Sequence, residues 1–363
     1  MKVAICGGGT GGHLHPLLAL AEELAEHEGV ETTLYISRKT PLGDLPSNSR
    51  VISLEVKGFS RNLDPANAKA FLRLAEAFFI CRRDMKWCRP QAAVGFGGYA
   101  CFPGAAAALS MGIPLVIHEQ NVVPGLANRL LAPAAKKIAV SFEETLLRLP
   151  SWKNKALVTG NPLRKSFMLK GEENPWKHFG LDEMRKTLAV VGGSQGAASL
   201  NRAVAEALPM WREREDLQIV HSVGGDKYEE FISRVDERDA GGLIYRPLKF
   251  IDRMDLLYRA ADLVVCRAGA STVAELAAMG CAAVLVPYPH ATASHQEANA
   301  EVLKKAGAAM VLMDRELSGH RLKREVDELL GDPERLNDMR IASLRIGKPE
   351  AAGRLAELVL ATT

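Results

Sequence analysis

Apolar residues along this chain fall into two recurring patterns. One is the short unbroken aliphatic run; the other is a stretch in which apolar positions return every third or fourth residue. The runs predict strands at Lys2–Cys6, Thr32–Ile36, Val51–Leu54, Ala92–Phe96, Pro114–His118 and Lys137–Val140. A second set follows at Thr187–Val191, Gln218–Val223, Leu243–Tyr245, Asp262–Cys266, Ala282–Val286 and Ala308–Leu312. The helical period lies between them, as at Leu17–Glu26, Leu200–Leu208, Val273–Met279 and Ala298–Lys305. Continuous aliphatic strands alternating with helices are the mark of parallel α/β sheets.

The pattern also repeats at half-length. Val3–Cys6 runs into Gly7-Gly8-Gly9-Thr10-Gly11-Gly12, and Leu188–Val191 runs into Gly192-Gly193-Ser194-Gln195-Gly196-Ala197. Each reads as strand, glycine turn, helix. The simplest account is two Rossmann-like domains, 1–160 and 161–345, joined near Gly160-Asn161-Pro162-Leu163-Arg164. A ligand is then expected in a cleft between them, at the carboxyl ends of both sheets. The terminal segment 346–363 contains one more helix, Ala351–Leu360, with no partner evident in the sequence and a possible seat on the first domain.

Composition narrows the class. The 363 residues suit slightly more than two domains, and 47% hydrophobic with 25% charged residues excludes disorder, collagen-like repeats and coiled coil as the main plan. Net charge is only +3, and a surplus of +5 sits within Lys57–Arg89 alone, a local feature that predicts no nucleic-acid partner. Six scattered cysteines form no CxxC pair, which reads as reduced thiols. No signal peptide is recognised at the start. The uncharged stretch Pro90–Ile117 is long enough to span a bilayer but is broken by five glycines and by Pro103 and Pro114. The expectation is a soluble or at most peripheral protein.

Several motifs carry candidate chemistry. The first loop matches GxGxxG, yet the strand that should end in an acidic residue ends Ser37-Arg38-Lys39, so Arg38 keeps an NADP oxidoreductase open as an alternative. Its glycines let a phosphate approach a helix N-terminus, where N–H groups point outward. The second loop offers its amides and the Ser194 hydroxyl to a diphosphate, and lacks the GK[ST] of a P-loop. A third loop, Gly95-Phe96-Gly97-Gly98-Tyr99, would serve a second phosphorylated ligand. His13 falls in the first turn of a helix, whose positive end disfavours the imidazolium and leaves a ring able to accept a proton. His118-Glu119-Gln120-Asn121 puts four polar groups at a strand end. Glu275 lies in the first turns of the helix opened by Gly269-Ala270-Ser271-Thr272, and suits either the helix dipole or a ribose diol. Pro287-Tyr288-Pro289-His290 and Ser294–Ala300 add a polar loop in which Gln296 can bond sugar hydroxyls. No DxD and no metal-ligand spacing occurs, so neither metal nor cofactor is expected, and a leaving diphosphate would be met by helix ends and Arg164.

The basic window contains a predicted helix, Asn67–Trp87. Phe71, Leu74, Ala75, Phe78, Cys81 and Met85 share one face and read as core. Leu72, Phe79, Ile80 and Trp87 fall on another arc among Lys69, Arg73 and Arg83, the arrangement of a helix meeting an anionic membrane or a partner protein.

Taken in order, these loops resemble those of the MurG-type glycosyltransferases. The matching pieces are Gly8–His13, Gly95–Tyr99, His118–Asn121, Gly160–Arg164, Gly192–Ala197, Arg267–Thr272 with Glu275, and His295-Gln296 with Asn299-Ala300. The resemblance implies a GT-B fold and an inverting transfer of N-acetylglucosamine from UDP-N-acetylglucosamine to the 4-hydroxyl of the lipid-linked muramyl-pentapeptide of peptidoglycan synthesis. It implies diphosphate contacts at Thr10, Gly11, Gly12, Arg164 and Ser194, a main-chain uracil contact at Ile251, and a ribose contact at Glu275. Sugar contacts map to Asn121, Gln296 and the helix start Ala270, Ser271 and Thr272, and Val273 and Ala274 follow them among the substrate-binding residues. The candidate base is His13, and Gly97, Gly98 and Tyr99 would face the acceptor. The first domain takes the acceptor and membrane side and the second the donor. The resemblance further implies a peripheral place on the cytoplasmic face of the cell membrane, beside cell-wall synthesis proteins. Gly280-Cys281-Ala282 stands where the family usually has Gly-Lys-Pro, Ser294 where Asp is usual, and Thr40–Arg50 looks shortened. A UDP-N-acetylglucosamine 2-epimerase and a non-catalytic nucleotide-sugar-binding protein stay open as alternatives.

Overall fold

A computed structural model describes residues 1–9, 11–38, 45–56, 66–169, 171–193, 195–235 and 241–362; the side chains of 66–69 lie outside that description. Contacts divide the chain into two compact units, Met1–Lys165 with Lys348–Thr363, and Ser166–Gly347.

The first unit runs β1 (Lys2–Gly7), α1 (Gly11–Leu24), β2 (Glu31–Ser37), β3 (Ser49–Leu54), α2 (Ala66–Cys88), β4 (Ala92–Gly95), α3 (Gly98–Ser110), β5 (Leu115–Glu119), α4 (Leu126–Leu131), β6 (Lys137–Val140), α5 (Glu143–Arg148) and β7 (Ala156–Val158). Its strands are parallel in the order β3-β2-β1-β4-β5-β6-β7. The second unit runs α6 (Pro175–Phe179), β8 (Lys186–Val191), α7 (Ala198–Trp211), β9 (Leu217–Ser222), α8 (Tyr228–Ile232), β10 (Ile244–Leu248), α9 (Met254–Ala260), β11 (Leu263–Cys266), α10 (Ala270–Met279), β12 (Ala283–Leu285), α11 (His295–Lys305), β13 (Ala309–Val311), α12 (Gly319–Leu330) and α13 (Pro333–Ile346). Its parallel order is β10-β9-β8-β11-β12-β13. The two orders are the same doubly wound plan, with an extra edge strand in the first unit. In each, strand order reverses once: between β1 and β4, and between β8 and β11. Such switch points open a crevice at the carboxyl ends of the strands.

The reasons are local. The strands at both switch points have apolar, buried centres, Val3, Ala4 and Ile5 in β1 and Leu188, Ala189 and Val190 in β8. Helix α10 turns Val273, Leu276 and Ala277 inward and stops at Gly280, which is left-handed at φ 66°. Capping is explicit in α12 and α13, where Ser318 and Asp332 accept the Arg321 and Arg335 N–H groups at 3.2 and 3.0 Å. The final helix, α14 (Ala351–Leu360), buries Leu355, Ala356 and Val359 in the first unit's core beside Leu17, Leu20 and Leu24 of α1.

Two features differ from the sequence expectations. Strand β7 was not anticipated. It has three residues and pairs only with β6, and its central Leu157 is half exposed, so it shows no aliphatic run. In α2 the buried stripe is Ala70, Ala77, Cys81, Met85 and Cys88, while Phe71, expected in the core, is 64% exposed. The inward face of α2 packs on α3. Small side chains there allow close approach, which turns Phe71 outward.

Candidate functional site at the strand ends

In the first unit, the loops after β1, β4 and β5 meet at the switch point. His13 lies in the first turn of α1, which Gly11 and Gly12 open. Its Nδ1 is 3.0 Å from Gln120 Oε1. The Gln120 amide nitrogen is 3.0 Å from His118 Nδ1 and donates to the His118 carbonyl at 3.2 Å. His118 Nε2 in turn is 3.0 Å from the Gly160 carbonyl. His118 and Gln120 are buried, and burial pushes the His118 ring down to about 4, so it is neutral at physiological pH.

The β4 loop closes over the same histidine. Gly98 is left-handed at φ 72°, and a Cβ on it would lie 3.0 Å from His13 Cδ2 and 3.3 Å from Nε2. Only glycine satisfies both the backbone and the ring. The Tyr99 ring lies against Gly9 of the first loop, so the first and third glycine loops are neighbours. Gly97 lies beside Asn128, which donates to the His118 carbonyl and to Glu119 Oε2 at 3.0 and 2.8 Å. Glu119 also accepts the Asn121 and Gly125 main-chain N–H groups, both at 3.0 Å. A buried carboxylate thereby shapes the loop that carries Asn121, with Thr145 Oγ1 donating to the Asn121 carbonyl at 3.2 Å. Arg164 sits farther along α1, its Nε paired with Glu22.

The second unit places its candidates after β8, β11 and β12. The β8 loop ends at Ala197, where α7 begins, and Lys227 Nζ donates to the Gln195 carbonyl at 2.5 Å. Thr10 and Ser194, the two expected hydroxyl contacts to diphosphate, lie outside the described residues, as do 39–44 and 57–65. After β11, Ala270, Ser271, Thr272, Val273, Ala274 and Glu275 form the first turns of α10. Tyr258 donates to Glu275 Oε2 at 3.1 Å. Burial pushes the Glu275 carboxyl up to about 7, against the opposing pull of that hydrogen bond. Ile251 is buried just ahead of α9, and its neighbour Phe250 is exposed. Gln296 Oε1 accepts the Tyr288 N–H at 2.9 Å, tying the loop after β12 to the start of α11. Ala293 and Ser294, the residues before it, are both left-handed at φ 50° and 51°, a conformation non-glycine residues hold at a cost of roughly 1–3 kcal/mol each. Cys281, at the departure from Gly-Lys-Pro, is buried, and burial pushes its thiol up to about 12.

Two supporting groups had no role in the sequence reading, although Arg267 opens one of the matching motifs. Arg267, directly after β11, is buried; it donates to Asp314 at 2.6 Å, Ser199 at 2.7 Å and the Val286 carbonyl at 3.1 Å. It braces the start of α7 and two loops of the second unit at once. Tyr258 reaches Glu275 from the neighbouring helix. A charged residue ending an aliphatic strand hinted at the first; nothing in sequence marked the second, seventeen positions away.

Helix α2 carries a separate surface. Leu72 is 68%, Phe79 64% and Trp87 76% exposed, with Arg50 stacked 5.3 Å from the Trp87 ring. Ile80, expected on this arc, is partly buried against the core. Arg82, Arg83, Lys86 and Arg89 are exposed around the same end. Among the described residues no helix is long and apolar enough to cross a membrane, and no three His, Cys, Asp or Glu side chains are grouped to hold a metal ion.

Comparison with known proteins adds an independent finding. The glycosyltransferase family 28 N-terminal domain matches residues 3–140, and the family 28 C-terminal domain matches 187–355. The UDP-N-acetylglucosamine--N-acetylmuramyl-(pentapeptide) pyrophosphoryl-undecaprenol N-acetylglucosamine transferase of Halothermothrix orenii is 38% identical over 371 residues, covering 99% of this chain and 98% of the relative. The crystal structure of Acinetobacter baumannii MurG aligns with a TM-score of 0.75 at 30% identity, over 99% of each chain. The UDP-GlcNAc 2-epimerase of Neisseria meningitidis, bound to UDP-GlcNAc, aligns with a TM-score of 0.69 at 13% identity over 99% of this chain and 100% of its own, a likeness of fold alone.

Proposed function

The chain belongs to the MurG-type glycosyltransferases of family 28, a GT-B fold, and on that premise we propose that it moves N-acetylglucosamine from UDP-N-acetylglucosamine to the 4-hydroxyl of the lipid-linked muramyl-pentapeptide, converting lipid I to lipid II. The observation that carries this reading is the 38% identity sustained over 99% of the chain, which spans both strand-end sets of residues.

In this reading the acceptor oxygen attacks C1 of the donor sugar from the face opposite UDP. The new C1–O bond forms as the bond to the β-phosphate oxygen breaks. His13 takes the hydroxyl proton, and UDP leaves with the electron pair of the broken bond. Main-chain amides of the glycine loops with Thr10, Gly11, Gly12 and Ser194, together with Arg164, meet the charge that builds on the diphosphate. Glu275 receives the ribose, Ile251 the uracil, and Asn121, Gln296 and Ala270–Thr272 the sugar, with Val273 and Ala274 beside them in the donor site. Gly97, Gly98 and Tyr99 face the acceptor diphosphate. The unit bearing His13 serves the acceptor and the other the donor.

The exposed aromatic and cationic face of α2 supports peripheral association with the anionic cytoplasmic leaflet, where a lipid-linked acceptor resides. Cell-wall synthesis proteins are candidate neighbours there. Radiolabelled UDP-N-acetylglucosamine, supplied with and without the lipid-linked acceptor, tests the assignment. Label should pass to lipid only when acceptor is present. Donor conversion without acceptor would favour an epimerase, and tight donor binding without any turnover would favour a binding protein; either result overturns the proposal.

A further inference from the structure

We propose that Gln120 and His118 are positioning residues that lock His13 in the tautomer with its proton on Nδ1, so that a bare Nε2 faces the acceptor hydroxyl. The inference rests on the reading of His13 as the base and supplies the reason that this nitrogen can act as one.

The relay has one fixed end. The Gly160 carbonyl can only accept, so His118 Nε2, 3.0 Å away, must carry hydrogen. His118 is fully buried and neutral, so its Nδ1 is bare and must accept. The Gln120 side chain has one orientation that fits. Its nitrogen lies within reach of both His118 Nδ1 and the His118 carbonyl, at 3.0 and 3.2 Å, and neither can donate. The amide oxygen therefore points at His13 Nδ1, 3.0 Å away, and can only accept from it. Each link leaves the next a single choice, and the chain ends with hydrogen on His13 Nδ1.

The two ends are built for this. Gly160 is left-handed at φ 90°, and a Cβ on it would lie 2.7 Å from Lys348 Cβ and 2.9 Å from Ala351 Cβ, so the start of α14 pins the peptide that anchors the relay. Thr159 Oγ1 donates to the same carbonyl at 3.0 Å. At the other end Gly98 leaves the His13 ring edge at Cδ2 and Nε2 uncrowded. After proton uptake the imidazolium keeps its Nδ1 bond to Gln120, so the ring need not turn during the reaction.

The test is ring 15N spectroscopy of histidine-labelled full-length protein at pH 8, with the His13 signals assigned by their loss in His13→Ala. The wild type should show hydrogen on Nδ1 and a bare Nε2. Gln120→Met removes the link at near-constant volume; it should give hydrogen on Nε2 or a mixture. Its kcat should fall about 10- to 100-fold, within the range general-base catalysis supplies, while KM for UDP-N-acetylglucosamine stays within about twofold, as for a step confined to the transition state. In a His13→Ala background, Gln120→Met should cost no further activity. Hydrogen on Nε2 in the wild type overturns the relay, as does an equal loss from Gln120→Met with and without His13. If His13→Ala keeps full turnover, the base assignment fails while the spectrum still decides the tautomer.

Discussion

Each unit buries a histidine on a central strand, and the two are put to different use. In the second unit, burial pushes His221 down to about 3. Its Nδ1 is 2.9 Å from the Tyr245 hydroxyl and its Nε2 3.2 Å from Asn201 Oδ1, while Asn201 donates to the Val223 carbonyl at 2.9 Å. Every member of that chain is buried, so the network is closed and fastens β9, β10 and α7 together. In the first unit the chain from His118 runs outward, through Gln120 to a half-buried His13 in the first turn of α1. One histidine braces a core; the other is coupled to a ring that is only half buried. The same doubly wound sheet thus supports a closed network in one unit and an open-ended one, to which we assign a chemical role, in the other, and the difference lies in where the last link ends.

That contrast can be broken most forcefully at His13. His13→Ala should lower kcat by roughly 10²- to 10⁴-fold, the usual contribution of a positioned base, with donor binding by calorimetry little changed. His221→Leu should do the opposite. It leaves the Tyr245 hydroxyl and Asn201 without their buried partner, at a cost of about 1–3 kcal/mol in chemical unfolding, while turnover per folded molecule holds. The sign with pH follows from the lowered value of this ring. The unfolded chain binds a proton near the ordinary 6.5 and the folded one only near 3, so wild-type stability falls as pH drops through that window, and less steeply in the variant.

Glu275→Gln sharpens the contrast within the second unit. Here the folded value is raised, to about 7, so the stability belonging to the protonated carboxyl is complete below its ordinary 4.5 and is lost as pH rises to about 7. The neutral amide should therefore stabilise the ligand-free protein at pH 8, by on the order of 1–2 kcal/mol, and at the same time weaken UDP binding. A variant that weakens neither calorimetric UDP affinity nor shifts the unfolding midpoint would remove the ribose role. The smallest effect is expected on α2, where Phe79→Ser with Trp87→Ser should lower affinity for vesicles containing anionic lipid by about tenfold, in line with lost apolar insertion, leaving turnover on a detergent-solubilised acceptor unchanged.

Where each unit carries its candidate residues was largely legible because those residues are local in sequence. Gly8–His13, His118–Asn121 and the start of α10 are contiguous segments, each following an aliphatic strand, and within each sheet the switch-point rule places such strand ends together without any contact being known. The relay was not legible. Polar groups at the end of β5 were visible, yet nothing in sequence ties Gln120 to a histidine 107 positions earlier or His118 to a carbonyl 42 positions later. Phe71 was misjudged for a related reason. On a helical wheel it shares a face with Cys81 and Met85, but the closeness of α3, set by Ala70 and Ala77, decides which side of that face is covered.

From sequence alone came what periodicity and short motifs encode: two parallel α/β units, glycine turns at helix starts, a histidine in the first turn of α1. These depend on interactions between near neighbours, which any chain segment carries with it. Tertiary structure alone decided which nitrogen of His13 holds hydrogen, which carboxyl is raised, and which aromatic residues of α2 face outward. Each of those depends on a partner brought close only by folding, and a proton's position or a group's burial has no value until that partner is in place.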